Sequence, residues 1–204
     1  MALYYQDYLN LGDRECQLGL GMNVSNIGSK ITFGGDETSE FIPTNLRLGA
    51  SLMVPVDEYN RFTIAADANK LLVPTYPKQN DGESTEAYQE RVRKDYYDIS
   101  SISGMIKSFG DAPNGFKEEL QEIQWSVGAE YICHDKFTLR AGYHHEAENK
   151  GNRKYFTFGA GFRMSVFSLD AGYVVATAKS NPLDQTLRFT LSFDMDGIKD
   201  LFKR

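Results

Sequence analysis

Three histidines and two cysteines, with a scatter of charged side chains, are where a 204-residue chain of this composition could do chemistry. His144 and His145 are the obvious pair. A metal ion needs ligands converging on one point, but adjacent residues on a strand leave opposite faces and cannot chelate together. His134 lies on a different turn. His145 shares a face with Tyr143, and a serine beside it would suggest a lipid deacylase or phospholipase. The flanking segments offer Trp125, Val127 and Ala129 on one side and Phe156, Phe158 and Phe162 on the other. A nucleophile must lie within hydrogen-bond reach of its base, and that face supplies none. The glycines at 19, 21, 159 and 161 alternate inside strands with no helix following, so they are not a dinucleotide fingerprint. Cys16 and Cys133 could be a disulfide or metal pair; the expected reading is two small residues on the apolar face. No catalytic residue, metal set or cofactor is therefore expected.

Charge is the remaining candidate. Glu130, Arg140, Asp170, Arg188 and Asp194 all take the polar parity of their segments. They would line and pair across the lumen of a barrel, or form the solvated outside of a soluble sheet; parity alone does not decide. The acidic stretches 36–40 and 81–90 could hold a partner or simply be solvated loop. Tyr88, Val92, Tyr96 and Ile99 recur at helical spacing inside 86–109 and form a candidate partner-binding face, or a face that packs on the barrel rim.

The elements that must position these residues are strands. Five segments between 122 and 195 alternate apolar and polar residues. Their apolar sets run through Trp125–Val127–Ala129–Tyr131, Phe137–Leu139–Ala141–Tyr143, Phe156–Phe158–Ala160–Phe162, Leu169–Ala171–Tyr173 and Leu187–Phe189–Leu191. A period of two is the strand period. Proline interrupts none of them, so each can pair on both edges. Upstream, 16–24, 44–54 and 62–68 read the same way and 2–10 is a candidate strand, giving roughly eight or nine strands. The segment 77–121 breaks the pattern as a helical or flexible insertion within one partial barrel spanning 1–204, with one unbroken helix expected over 86–109 and a further helical turn over 116–121.

Net charge is −6 and the pI is about 5.1, which argues against nucleic-acid binding. Mean hydropathy is −0.44, yet a barrel shows lipid only every second residue and can look soluble on average. No apolar run approaches the roughly 18 residues of a spanning helix, whereas strands of about ten residues suffice for a tilted crossing. Connections alternate in length, long at 25–43, 71–121, 146–153 and 179–184, short at 57–61, 134–136 and 163–166. Antiparallel strands send alternate connections to opposite ends, so the long ones share one end, as in outer-membrane barrels. Met1–Asp7 lacks a basic start and an apolar stretch, so for an exported protein the expectation is either a mature chain or a piece of a longer one.

Several stretches carry a resemblance: 18–31 (LGLGMNVSNIGSKI), 68–75 (ANKLLVPT), 139–146 (LRAGYHHE), 150–153 (KGNR) and 181–183 (NPL). Together they make the chain similar to the carboxyl-terminal part of the PorV (LptO) family, outer-membrane proteins of the type IX secretion system of Bacteroidetes, within the wider FadL-like barrels. The resemblance implies an antiparallel transmembrane β-barrel of about fourteen strands with a helical extracellular loop insertion. This chain has fewer strands, and its closure stays open. It further implies a non-enzymatic role. Such a protein takes cargo by its C-terminal signal domain as it leaves the Sov translocon. It passes the cargo to the PorU sortase complex, which attaches it to lipopolysaccharide in the outer membrane. A FadL-like transporter of hydrophobic solutes and a soluble eight-stranded binding barrel are the alternatives.

Overall fold

The computed structural model describes residues 1–32, 39–177 and 182–197. The expectations placed on Asp36, Glu37 and Thr38, and on Lys179 to Asn181, fall outside the described residues. The long strands are β1 (Ala2–Leu11), β2 (Arg14–Ser25), β5 (Asn45–Pro55), β6 (Asn60–Leu71), β7 (Gln124–Cys133), β8 (Phe137–His145), β9 (Tyr155–Arg163), β10 (Phe167–Ala176) and β11 (Leu187–Phe193). They form one nine-stranded sheet in the order β1-β2-β5-β6-β7-β8-β9-β10-β11. Each long strand neighbours its predecessor, as short connections favour. The fold is all-β with a helical insertion, as the alternation predicts. The sheet is open: β1 and β11 stand at the two ends of the order. A closed barrel needs every edge paired, and here both end strands are exposed along their length.

The chain divides into two compact units, with β1, β2, β5 and β6 contributing residues to both. One unit holds 4–21, 48–68 and 124 onward. Its strands β7 to β11 pair antiparallel in unbroken register, for example Glu130↔Arg140, Arg140↔Gly159 and Gly159↔Gly172. The pleat puts Trp125, Phe158 and Phe189 on one face and Glu130, Arg140, Asp170 and Arg188 on the other. The large apolar residues of the first face are open to the surroundings: Phe158 is 53% and Phe189 66% exposed. Cys16 is fully buried here, and both cysteines are free thiols.

The other unit holds 1–3, 22–47 and 69–123. The two-residue strands β3 (Ile31–Thr32) and β4 (Ser39–Glu40) pair within it. Its helices are α1 (Thr85–Val92), α2 (Ser101–Lys107) and α3 (Phe116–Gln121). The single helix expected over 86–109 is in fact broken. A π turn at Arg93–Tyr97 follows α1, with Asp98 N–H donating to the Arg93 carbonyl at 2.8 Å. Ser100 then adopts extended backbone, and its hydroxyl accepts from Ser103 N–H at 3.2 Å to start α2 afresh. Serine at that point competes for the backbone and favours a cap over a helix interior. Leu72, Val92, Tyr96 and Ala112 form the apolar core of this unit.

Candidate functional site

The helical unit is fastened by a few polar anchors. Lys30 donates to the carbonyls of Tyr96 and Tyr97, each at 2.8 Å, satisfying acceptors at the end of the π turn. Its ammonium also lies 4.1 Å from the Phe41 ring centre. Burial pushes this ammonium below its ordinary range, against the opposing pull of Asp98 and Glu40. Lys70 is buried and bonds both Glu119 (3.0 Å) and Glu122 (2.7 Å), tying the base of α3 to β6. Glu119 also accepts from Ala112 N–H at 2.8 Å. Thr75 donates its N–H to Asp111 at 2.8 Å. Asn26 donates to the Pro43 carbonyl, and Thr44 returns a bond to the Asn26 carbonyl.

These anchors support an aromatic cluster. Tyr96 packs edge-on against Phe41, Tyr76 and Tyr97 at 5.0–5.3 Å. Its hydroxyl donates to Glu40 at 3.2 Å. Burial, then the Glu40 charge, pushes the Tyr96 phenol up to about 12. Val92 and Tyr96, two of the four residues of the candidate partner-binding face, are thus buried in the chain's own core. Tyr88 and Ile99 are half-buried. The side chains that stand outward are instead Ile102, Ile106 and Phe109 along α2, and Phe116 and Leu120 on α3; Ile106 is 71% and Phe116 76% exposed. Their 3–4-residue spacing is legible in the sequence, but a broken helix was needed to show which side faces out.

In the sheet unit, Arg140 is the centre of the polar face. Its Nε donates to Glu130 at 2.6 Å and a terminal nitrogen donates to Asp170 at 2.7 Å. To reach Asp170, two strands away, the guanidinium crosses β9 where it carries Gly159 and Gly161. A Cβ at Gly161 would fall 2.6 Å from the Asp170 carboxylate, so glycine makes the crossing possible. Arg188 is on the same face, opposite Gly172, and has no ion pair among the described residues. A trough of about 500 Å³ opens beside Glu130, Arg140, Ser126 and His144.

The histidines diverge, as strand geometry requires. His145 stacks on Trp125 at 5.0 Å, and its Nδ1 lies 3.3 Å from the Tyr143 hydroxyl. His144 stacks on Tyr155, and its Nδ1 lies 3.0 Å from Ser126 Oγ. Ser126 and His144 are direct register partners, so the serine absent from the His145 face stands on the opposite one, where the alternation of the two strands already places it. Among the described residues no carboxylate hydrogen-bonds to the His144 ring.

At the β8–β9 end, Glu146 is 1% exposed. It accepts two bonds from the Arg153 guanidinium (2.7 and 2.8 Å), one from Arg153 N–H and one from Gln124. The Arg153 bonds hold its carboxyl below the usual carboxylate range. Gly151, with φ +132°, leaves the space that the carboxylate fills. Two separated stretches of the resemblance, 139–146 and 150–153, therefore meet in one clamp.

Residues 1–78 match the family model described as type IX secretion system protein PorV. The match covers 78 of the 204 residues, and over that stretch the chain is similar to the family. No curated protein matches it. That family belongs to the type IX secretion system. The matched region contains Asn26, Lys30, Thr44, Lys70 and Thr75, one side of the anchors that hold the helical unit.

Proposed function

We propose that this chain is a non-enzymatic outer-membrane component of the type IX secretion system. In this reading it binds the C-terminal signal domain of cargo leaving the Sov translocon and passes it to the PorU sortase complex for attachment to lipopolysaccharide. The observation that carries it is the sheet of a chain similar to the PorV family, with one face of large apolar side chains left open. Soluble monomers rarely expose so wide an apolar patch, and lipid is the environment that suits it. The long insertion 77–121, taken as extracellular, supplies the docking surface. Its cargo-facing residues are the outward Ile102, Ile106, Phe109, Phe116 and Leu120, since Val92 and Tyr96 are committed to the core.

The FadL-like transporter reading needs an apolar path through the lumen. The Glu130–Arg140–Asp170 chain lies across the face that would line it, which favours the secretion reading. The test is Ile106→Glu combined with Phe116→Glu, in cells that depend on this protein. Normal levels in the outer membrane with cargo no longer attached to the surface is the expected result. Unchanged attachment at normal protein level would remove the docking role.

A further inference from the structure

The helical unit contains a pocket of about 290 Å³ lined by Tyr76, Tyr88, Val92, Arg93, Tyr97 and Asp98. Tyr76 and Tyr97 meet at 76° with centres 6.4 Å apart, forming two perpendicular walls. Tyr88 gives a third and is fixed by its hydroxyl, which donates to the Pro77 carbonyl at 3.1 Å. The Arg91 guanidinium lies 5.6 Å from the Tyr88 ring centre, so this wall already carries one cation, and Tyr76 and Tyr97 are the rings left to receive another. The carboxylate is Asp98, exposed and only loosely paired with Arg93 at 3.9 Å. An ion pair that long and that exposed is readily exchanged for another.

From this geometry we infer that the pocket receives a basic side chain of a bound polypeptide, with its cation between the tyrosine faces and against Asp98. Ring faces carry the negative end of the aromatic quadrupole, and several of them around one site attract an ammonium or guanidinium. The unit already solvates a cation in this manner, since Lys30 sits over Phe41 with carbonyls on its other side. Arg93 in the lining, Arg91 over Tyr88 and Lys30 over Phe41 are the cations an incoming group must accommodate; Asp98 and Glu40 are the carboxylates that favour it. A purely apolar side chain would leave Asp98 without a new partner, and an acidic one would face it directly. The identity of the polypeptide as secreted cargo rests on the function proposed above, whereas the chemistry of the pocket does not.

The test uses the full chain in lipid nanodiscs with ring-labelled tyrosine, titrated with N-acetyl-lysine methylamide and, separately, with N-acetyl-norleucine methylamide. The lysine probe is expected to shift the Tyr76, Tyr88 and Tyr97 ring signals saturably, and the norleucine probe to leave them in place. Asp98→Asn, an exposed change that leaves the packing alone, and Tyr97→Leu should each weaken the lysine probe by about two- to fivefold. Equal response to both probes, or indifference to Asp98→Asn, overturns the inference. If the probe binds as expected while cargo attachment is unaffected by these variants, the pocket stands and the cargo reading is what fails.

Discussion

Lys70 shows how much can hang on one side chain. Its ammonium sits between Glu119 and Glu122, nearly out of reach of water. Removing one partner of a buried ionic cluster costs more than the cluster ever contributes, because the remaining charges lose compensation. Lys70→Met should therefore destabilise the packing of α3 by about 3–5 kcal/mol. Hydrogen exchange of the 116–123 amides measures it, and adding Glu119→Gln and Glu122→Gln should recover part of the loss. Glu146 makes the complementary case with pH. Its folded pKa is depressed, chiefly by the bonds from Arg153. The stability it contributes is thus fully present above the ordinary glutamate value of about 4.3. It is lost as pH falls through the lower folded value. Exchange protection of 147–153 should stay level from neutral pH down to the ordinary carboxylate range and decline only below it. In Glu146→Gln that acid-dependent decline should vanish, and a decline of the same size in the variant would assign it to other groups. Neither residue's role could be read from the sequence. A lysine at the end of an alternating strand looks solvated, and only the fold brings 119 and 122 to it.

At the level of elements, period-two alternation located the long strands from β2 onward, because a sheet whose two faces meet different surroundings forces it, whereas β1 shows no such period. The helical segment was legible as helical but not as broken, since the break depends on Ser100 capping and on the π turn that buries Tyr96. Which face of the segment was free also escaped the pattern: Val92 and Tyr96 have the same apolar look as Ile102 and Ile106. What sorts them is Phe41, a residue from a different connection. Gly104 in α2 tests that packing. A Cβ there would fall 2.5 Å from the Phe41 ring, and the ring is pinned between Lys30 and Tyr96. Replacing a helix-interior glycine by alanine normally gains about 1 kcal/mol, whereas forcing a packed aromatic aside costs about 1–3 kcal/mol. Gly104→Ala should come out destabilising, with faster exchange across α1 and α2. A stabilised variant would mean that Phe41 moves freely and does not set the outward face.

For the whole molecule, the deciding question is what covers the apolar face of the sheet. Its strands contribute Trp125, Leu139, Phe158, Tyr173 and Phe189, all exposed, while the opposite face is threaded by Arg140 and relieved by glycines. A soluble sheet would be arranged in reverse, with the large side chains packed and the charges in water. The polar ladder is no substitute for a core, because its partners are about a third to a half exposed and each such pair is worth about 0–1 kcal/mol. If lipid is the covering medium, the two faces must answer differently to the same substitution. Phe158 lies at the middle of β9, paired with Ala141 on one side and Tyr173 on the other. Phe158→Lys should cost about 2–4 kcal/mol when the protein is folded in a bilayer, the range for a lysine near the midplane of a barrel's lipid face. Thr190→Lys, which points to the face of Asp170 and Arg188, should cost well under 1 kcal/mol, since that side remains wet and offers a carboxylate. Refolding into vesicles with a denaturant series gives both numbers. Because hydrophobic burial between sheets would also penalise Phe158→Lys, the same pair should be compared in bilayers of increasing hydrocarbon thickness. Only a lipid-facing position should respond to that thickness, since its depth changes with the membrane. Equal costs at the two sites, or a Phe158→Lys penalty indifferent to thickness, would show that protein rather than lipid covers this face.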